Sequence, residues 1–498
     1  MAKPALDKDL KKLTRLESVT RSTAQGLVPL GLVIVFLVLV GVTTLSITGL
    51  GGGWALIMGA SLIGGYMALN IGANDVANNM APAVGSRALT IGVAVCIAAV
   101  CEAAGAILAG GDVVATVSGG IINPARLPDT AAFTTAMIAA LFAAALWINL
   151  ATVIGAPVST THSIVGGVLG GGVALAGFGA ADWNVVARIV ASWVISPVMG
   201  GVIAASFLAY INFTILQAPD KLGQARSRVP MLVAIMAGTF STYLLLKGFS
   251  RIWDVPLWLA LAVGTGVLVT VHRILKPRLA RQVTELAPRA SSVGDLFTIP
   301  VIAGAALLSF AHGANDVANA IGPLAAVYSS VTTGEVLARV EIPFWILGIG
   351  AAGISMGLLL YGPKLIRTVG SKITKLNRIR AFCVTLSAGI TVIIASALGI
   401  PVSSTHIAIG ALFGVGFLRE HLANRDNGNS LPLKPIPERP LVVPDEPPIS
   451  DKVRRRYLVR RSHLLTIIAA WLITVPASAL LSAGIALTMR HFGMITIG

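Results

Sequence analysis

Long apolar runs recur along almost the whole chain, separated by short polar connections. A run of roughly 20 apolar residues crosses the hydrocarbon of a bilayer as an α-helix, and these runs are too long and continuous to be barrel strands. The pattern predicts spans over 27–49, 89–110, 131–153, 187–212, 229–246, 254–271, 343–361, 381–399 and 464–489. Two further runs, 54–71 and 299–326, lead into or contain polar residues in mid-span. Residues 111–130 read as an outer loop. Residues 419–462, rich in proline and arginine, read as a long mobile loop without an apolar face.

The polar residues inside the apolar runs form a pattern of their own. Gly72-Ala73-Asn74-Asp75-Val76-Ala77-Asn78 recurs letter for letter as Gly313-Ala314-Asn315-Asp316-Val317-Ala318-Asn319. Pro157-Val158-Ser159-Thr160-Thr161-His162 recurs as Pro401-Val402-Ser403-Ser404-Thr405-His406. The first pair of motifs is separated by 241 residues, Asp75 to Asp316, and the second by 244, His162 to His406. Two motifs repeated in the same order at nearly one offset mark an internal duplication. The repeats are 54–212 and 298–490, the second interrupted by the 419–462 loop. A cytoplasmic tail (1–26) and an extra helix (27–49) precede them, and two plain spans with a basic loop (213–297) join them. The apolar run after the tail is too long for a signal-peptide core, so it reads as a retained helix.

Charge sets the orientation. The chain is 55% hydrophobic and 12% charged with mean hydropathy +0.84, and its net charge is +16. The basic residues lie in the connections, among them Arg273, Lys276, Arg278, Arg281, Lys364, Arg367 and Lys372, which is the positive-inside signature rather than a nucleic-acid surface. It puts the N-terminus in the cytoplasm and the C-terminus outside. It also makes the first Asn-Asp segment enter from outside and the second from inside. The expected architecture is therefore an all-α polytopic membrane protein of two inverted repeats, with broken or re-entrant helices meeting at the bilayer midplane. Cys96, Cys101 and Cys383 have no metal-ligand spacing.

An aspartate in mid-membrane costs about 2.5–3.5 kcal/mol on insertion scales, and such residues mark ion or substrate pathways. Asp75 and Asp316 have amide neighbours at Asn74, Asn78, Asn315 and Asn319. The i, i+4 spacing puts Asn74 beside Asn78 and Asn315 beside Asn319 on one helix face. Carboxylate and amide oxygens form a hard donor set suited to a proton or to Na⁺ at Asp75 and Asp316. The glycine before each motif would permit a break in the helix. In the second motif, proline fits a first helical turn, and the hydroxyls that follow sit where free N–H groups and the helix dipole favour an anion. Ser159, Thr160 and Thr161, with Ser403, Ser404 and Thr405, would line an anion cradle. Glu102 lies in mid-span without an acidic counterpart in the second half and is a candidate for proton coupling. His312 has no match in the first repeat, where Ile71 stands, and reads as structural. Duplication of both motifs argues against an intramembrane Ser/His hydrolase. A cation exchanger would leave the hydroxyl-rich half-helices unexplained.

On these two doubled motifs the chain resembles the inorganic phosphate transporter family of the low-affinity Pit type, over roughly 54–490. The resemblance implies a permease, not an enzyme, that needs no cofactor. It would import phosphate, or a metal–phosphate complex, with H⁺ favoured over Na⁺, as a homodimer in a bacterial inner membrane. It also implies cation coupling at Asn74, Asp75, Asn315 and Asp316 and phosphate contact at the hydroxyls. Sulfate carriers of the same superfamily are the alternative. One departure stands out: many members have glutamate where Thr385 follows Phe382-Cys383-Val384, and Glu102 matches the family's acidic position in the first half.

Overall fold

The computed structural model describes residues 27–123, 126–154, 158–249, 253–286, 290–335, 342–372, 376–427 and 461–495. The expected 1–26 tail and residues 428–460 of the expected long loop lie outside them. The described residues are helical, apart from turns and a single antiparallel bridge between Ile122 and Ala181. Eleven of these helices are long and apolar enough to cross a membrane.

The segment read from the sequence as the first repeat comprises α2 (Trp54–Gly85), α3 (Ile91–Ala109), a short α4 (Gly111–Ala115), α5 (Thr130–Ile154), α6 (Thr160–Ala176) and α7 (Trp183–Ile211). The second comprises α11 (Thr298–Thr333), α12 (Phe344–Lys372), α13 (Arg378–Ala397), α14 (Ser404–Asn427) and α15 (Arg461–His491). Between them lie α8 (Lys221–Tyr243), α9 (Leu257–Glu285) and α10 (Ala290–Leu296); α1 (Leu27–Thr48) precedes all. The predicted spans are found, with α8, α9 and α12 longer than expected.

Three local expectations are corrected. The helix is not broken at the Asn-Asp motifs: α2 and α11 run straight through them and through Pro82 and Pro323. Residues 111–121 are not an open loop. They fold as α4 and a π-helical turn, with Val113, Val114, Val117 and Ile121 buried, and Thr116 donates to the Gly399 carbonyl at 2.6 Å. Residues 419–427 continue α14 instead of forming loop.

The two halves interlock by exchange. Helix α2 packs on α12 as α11 packs on α3, and α6 packs on α15 as α14 packs on α7; within each half, α2 packs on α5 as α11 packs on α13. Glycine sets the closest of these approaches, as expected where helices associate through small residues. Gly72 lies against the backbone carbonyl of Ile354, and its counterpart Gly313 against that of Glu102. A glycine in mid-helix is unfavourable by roughly 0.5–1 kcal/mol relative to alanine, which this packing offsets. Gly313→Val is accordingly expected to destabilise the protein by about 1–3 kcal/mol, the usual range for overpacking. Thermal unfolding in detergent reads it, and an unshifted midpoint would show that α3 can give way.

Where α2 meets α11 the two run in opposite directions. Gly53 at the start of α2 touches Val331 near the end of α11, Gly64 faces Leu324, and Asp75 faces His312. Extra helix α1 packs Val33, Phe36 and Val40 against Leu69 and Ile349, buttressing α2 and α12 from outside.

Candidate functional site

Both carboxylates are buried and lie on facing helices in the interior. His312, one helical turn before Asp316, fills the space between them. Its Nε2 is 3.0 Å from Asp316 and 3.7 Å from Asp75, and its Nδ1 is 3.1 Å from Glu102. In the linear chain His312 reads as structural; the structure puts it at the centre. The available signal is its i, i+4 spacing to Asp316, which puts the two side chains on one helix face.

Helices α6 and α14 begin at the carboxylates. Thr160 Oγ1 donates to Asp75 Oδ2 at 3.2 Å, and the matched Ser404 Oγ donates to Asp316 Oδ2 at 3.2 Å. Thr405 crosses the halves to donate to Asp75 Oδ1 at 3.1 Å. Thr161 donates to the Val402 carbonyl at 2.9 Å, which ties the two helix starts together. Ser159 and Ser403 do something else. Each caps its own helix, accepting from the backbone N–H of His162 at 3.1 Å and of His406 at 3.4 Å. Both turns therefore follow the N-cap geometry that leaves the next N–H groups free of intrahelical partners.

Asn78 and Asn319 knit the halves together in the same exchanged fashion, whereas Asn74 and the Nδ2 of Asn315 bind within their own half. Asn78 Nδ2 donates to Thr405 at 2.7 Å and Asn319 Nδ2 to Thr161 at 3.1 Å. Asn74 Nδ2 donates to Thr152 at 3.0 Å and Asn315 Nδ2 to Ser396 at 3.0 Å. Asn315 Oδ1 also accepts from the Val402 backbone N–H at 3.2 Å. The match is incomplete in exposure: Asn315 and Asn319 are fully buried, whereas Asn74 and Asn78 are half-buried. Among the described residues no hydrogen-bond partner reaches Asp316 Oδ1 or Asn319 Oδ1, both buried acceptors. Buried oxygens of this kind are donors for a small hard cation. Asp75, His312 and Asp316 bring one ligand atom each within 4.8 Å of one another.

Glu102 is not isolated. Asn79 Nδ2 donates to its Oε1 at 2.8 Å, and both residues are fully buried. His162 and His406 stack at 4.7 Å between ring centroids, and His162 meets the Trp193 ring edge-on at 3.7 Å. They form a layer behind the hydroxyls. Arg87, which follows α2, sits in a left-handed turn (φ 59°) and accepts from Arg378 Nη2 through its carbonyl at 3.3 Å.

The chain as a whole is similar to known proteins. A family model described as "Phosphate transporter family" matches residues 71–482. The chain belongs to that family. A Helicobacter pylori protein named "Putative phosphate permease" is 43% identical to it over 95% of this chain and 97% of its own. "Inorganic phosphate transporter 2-1, chloroplastic" of Arabidopsis thaliana is 34% identical over 80% of this chain and 66% of its own. A solved structure described as "The sodium-dependent phosphate transporter" superposes with TM-score 0.77 at 34% identity, covering 88% of this chain and 99% of that one. The phosphate transporter family is one of carriers, not enzymes. The matched region contains both doubled motifs and all the residues just described, whereas α1 lies before it.

Proposed function

We propose that the protein imports inorganic phosphate by cation symport, through two inverted repeats that share one site. The observation that carries this reading is the meeting of two helix N-termini, α6 and α14, on two buried carboxylates, one from each half. The exchanged packing partners and the opposed directions of α2 and α11 support the inverted arrangement. In this reading Asp75 and Asp316, with Asn74, Asn78, Asn315 and Asn319, hold the cation. Thr160, Ser404 and Thr405 turn their hydroxyls from the carboxylates, and Thr161 turns its own from the Val402 carbonyl, to the anion when it arrives. Ser159 and Ser403 keep the helix starts open to it, and the N–H groups of the first turns supply charge complementarity without lysine or arginine.

Two tetrahedral oxyanions fit such a cradle, and protonation separates them. HPO₄²⁻ and H₂PO₄⁻ can donate a hydrogen bond to Asp75 or Asp316; sulfate cannot. The proton is the favoured coupling ion, because both imidazole nitrogens of His312 stand against carboxylates, Nε2 at 3.0 Å from Asp316 and Nδ1 at 3.1 Å from Glu102, and nitrogen is a poor ligand for Na⁺. Na⁺ is the second reading, favoured by the likeness to a transporter described as sodium-dependent. A neutral metal–phosphate complex would use the same three ligands, Asp75, His312 and Asp316. The orientation, cytoplasmic N-terminus and bacterial inner membrane follow from the charge pattern and the resemblance, and a homodimer is part of the same reading.

Labelled phosphate uptake into proteoliposomes decides it, with pH and Na⁺ gradients imposed separately and sulfate as competitor. Uptake driven by the pH gradient and indifferent to sulfate is the expected result. Uptake that follows Na⁺ alone would assign the Asn-Asp oxygens to that ion. Sulfate accumulation without phosphate would overturn the substrate.

A further inference from the structure

The groups that touch the two carboxylates or each other around them occupy matched positions: Asn74 and Asn315, Asn78 and Asn319, Thr152 and Ser396, Thr160 and Ser404, Thr161 and Thr405. Three residues linked to the same carboxylates, His312 directly and Glu102 and Asn79 through it, do not. At the offset that relates Asp75 to Asp316, His312 corresponds to Ile71 and Asn79 to Ala320. The third match is read from packing. Gly72 rests on the carbonyl of Ile354 and Gly313 on that of Glu102. Gly357 rests on Leu69, and Gly105 on Phe310, which is the match of Leu69. Glu102 therefore corresponds to Ile354.

The three departures touch one another. Asn79 holds Glu102 at 2.8 Å, Glu102 lies 3.1 Å from His312 Nδ1, and His312 Nε2 faces Asp316 and Asp75 at 3.0 and 3.7 Å. Side-chain exposure is nil for His312 and Glu102. Desolvating charge and polarity at this depth is costly, and the matched positions show the same packing satisfied by isoleucine, isoleucine and alanine. Three separate elements, α2 and α3 of the first half and α11 of the second, each carry one member of a single polar chain that the matched positions on α11, α12 and α2 lack.

We infer that Asn79, Glu102 and His312 form a one-sided brace that links cation occupancy of the Asp75–Asp316 pair to the orientation of the carrier; this rests on the symport reading. In a carrier built from two inverted equivalent halves, the outward and inward states arise when the halves exchange conformations. Identical halves would give two states of equal free energy. A polar chain drawn from both halves, whose symmetry-related positions Ala320, Ile354 and Ile71 are apolar, removes that equality. His312 faces both carboxylates, so its interaction with them differs when a cation lies between. The balance of the two orientations then depends on occupancy, which is a coupling free energy between the cation site and the orientation. His312 contacts the ion-binding groups directly. Glu102 and Asn79 act through it as positioning residues: Glu102 fixes the imidazole, and Asn79 fixes Glu102.

The test replaces each member by its matched residue, Asn79→Ala, Glu102→Ile and His312→Ile together, so that no buried polar partner is stranded. Two readouts are taken in proteoliposomes: phosphate–phosphate exchange without a gradient, and accumulation under the gradient that drives the unmodified protein. The triple variant is expected to continue exchange at a reduced rate while the ratio of accumulation to exchange falls by about tenfold or more, within the usual range of coupling energies. Glu102→Gln, which keeps shape and the Asn79 contact, is expected to lower that ratio in the same direction and decides the matter if the triple variant does not fold. A ratio unchanged in Glu102→Gln, or in a folded triple variant, would overturn the brace. Failure of the symport reading itself would look different, since the unmodified protein would then accumulate no phosphate under either gradient.

Discussion

Replacing Asp316 with asparagine is expected to lower gradient-driven phosphate accumulation by roughly a hundredfold while the protein remains folded in the membrane. Asparagine matches aspartate in shape, so the packing of α11 is kept, and Ser404 retains an oxygen to which it can donate. The charge that attracts the cation is removed, together with the acceptor Oδ1 that no described residue satisfies. Interactions with a charged group contribute about 1.5–3 kcal/mol each. Two of them lost at one ion site approach the two powers of ten, since about 1.4 kcal/mol is one. Exchange of the halves predicts nearly the same loss for Asp75→Asn, although three side-chain donors reach Asp75 in place of one. The measurement is accumulation per reconstituted carrier. Wild-type accumulation by Asp316→Asn would remove the aspartate from the coupling site.

The second large effect is expected from the hydroxyls. Thr160→Val with Ser404→Ala should raise the KM for phosphate by about a hundredfold or more, because two hydrogen bonds to a charged group are lost at about 1.5–3 kcal/mol each. Their loss falls mainly on binding, so maximal rate should change less than KM. Thr160→Ser keeps the hydroxyl and should restore most of the affinity. Ser159→Ala gives the contrast. That hydroxyl accepts from His162 N–H as a helix cap, so its removal should lower stability by about 1 kcal/mol and affect KM less than the double change. Equal KM effects in both experiments would mean that the cradle acts as a scaffold and not through its hydroxyls.

Much of this architecture is legible in the linear chain for a simple reason. Lipid forbids unsatisfied backbone and penalises charge, so spans and intramembrane aspartates stand out by composition alone. The duplication is legible because two motifs repeat almost unchanged at nearly one spacing. Local rules fail where tertiary contacts reverse their sign. The glycines of the Asn-Asp motifs read as places for a break. In the fold they let a neighbouring carbonyl approach an unbroken helix. Residues 111–121 read as a loop because they are short and polar at their ends. They are buried because Val113, Val114 and Val117 find a core and Thr116 finds Gly399.

The same distinction holds at the site. Sequence alone determined the helical membrane class, the two repeats, and the aspartates, asparagines and hydroxyls, because each carries a local signal in an apolar setting. Only the tertiary structure decided which of these meet. Asp75 and Asp316 are far apart in the chain and become neighbours of one imidazole because α2 and α11 cross in opposite directions. Ser159 and Ser403, alike in sequence to the hydroxyls beside them, become caps because the first turn of a helix directs them to its own N–H groups. Asn79, Glu102 and His312 share no motif and no spacing. Their association depends on three helices being packed together, and contacts between distant segments leave no periodicity in the sequence to read.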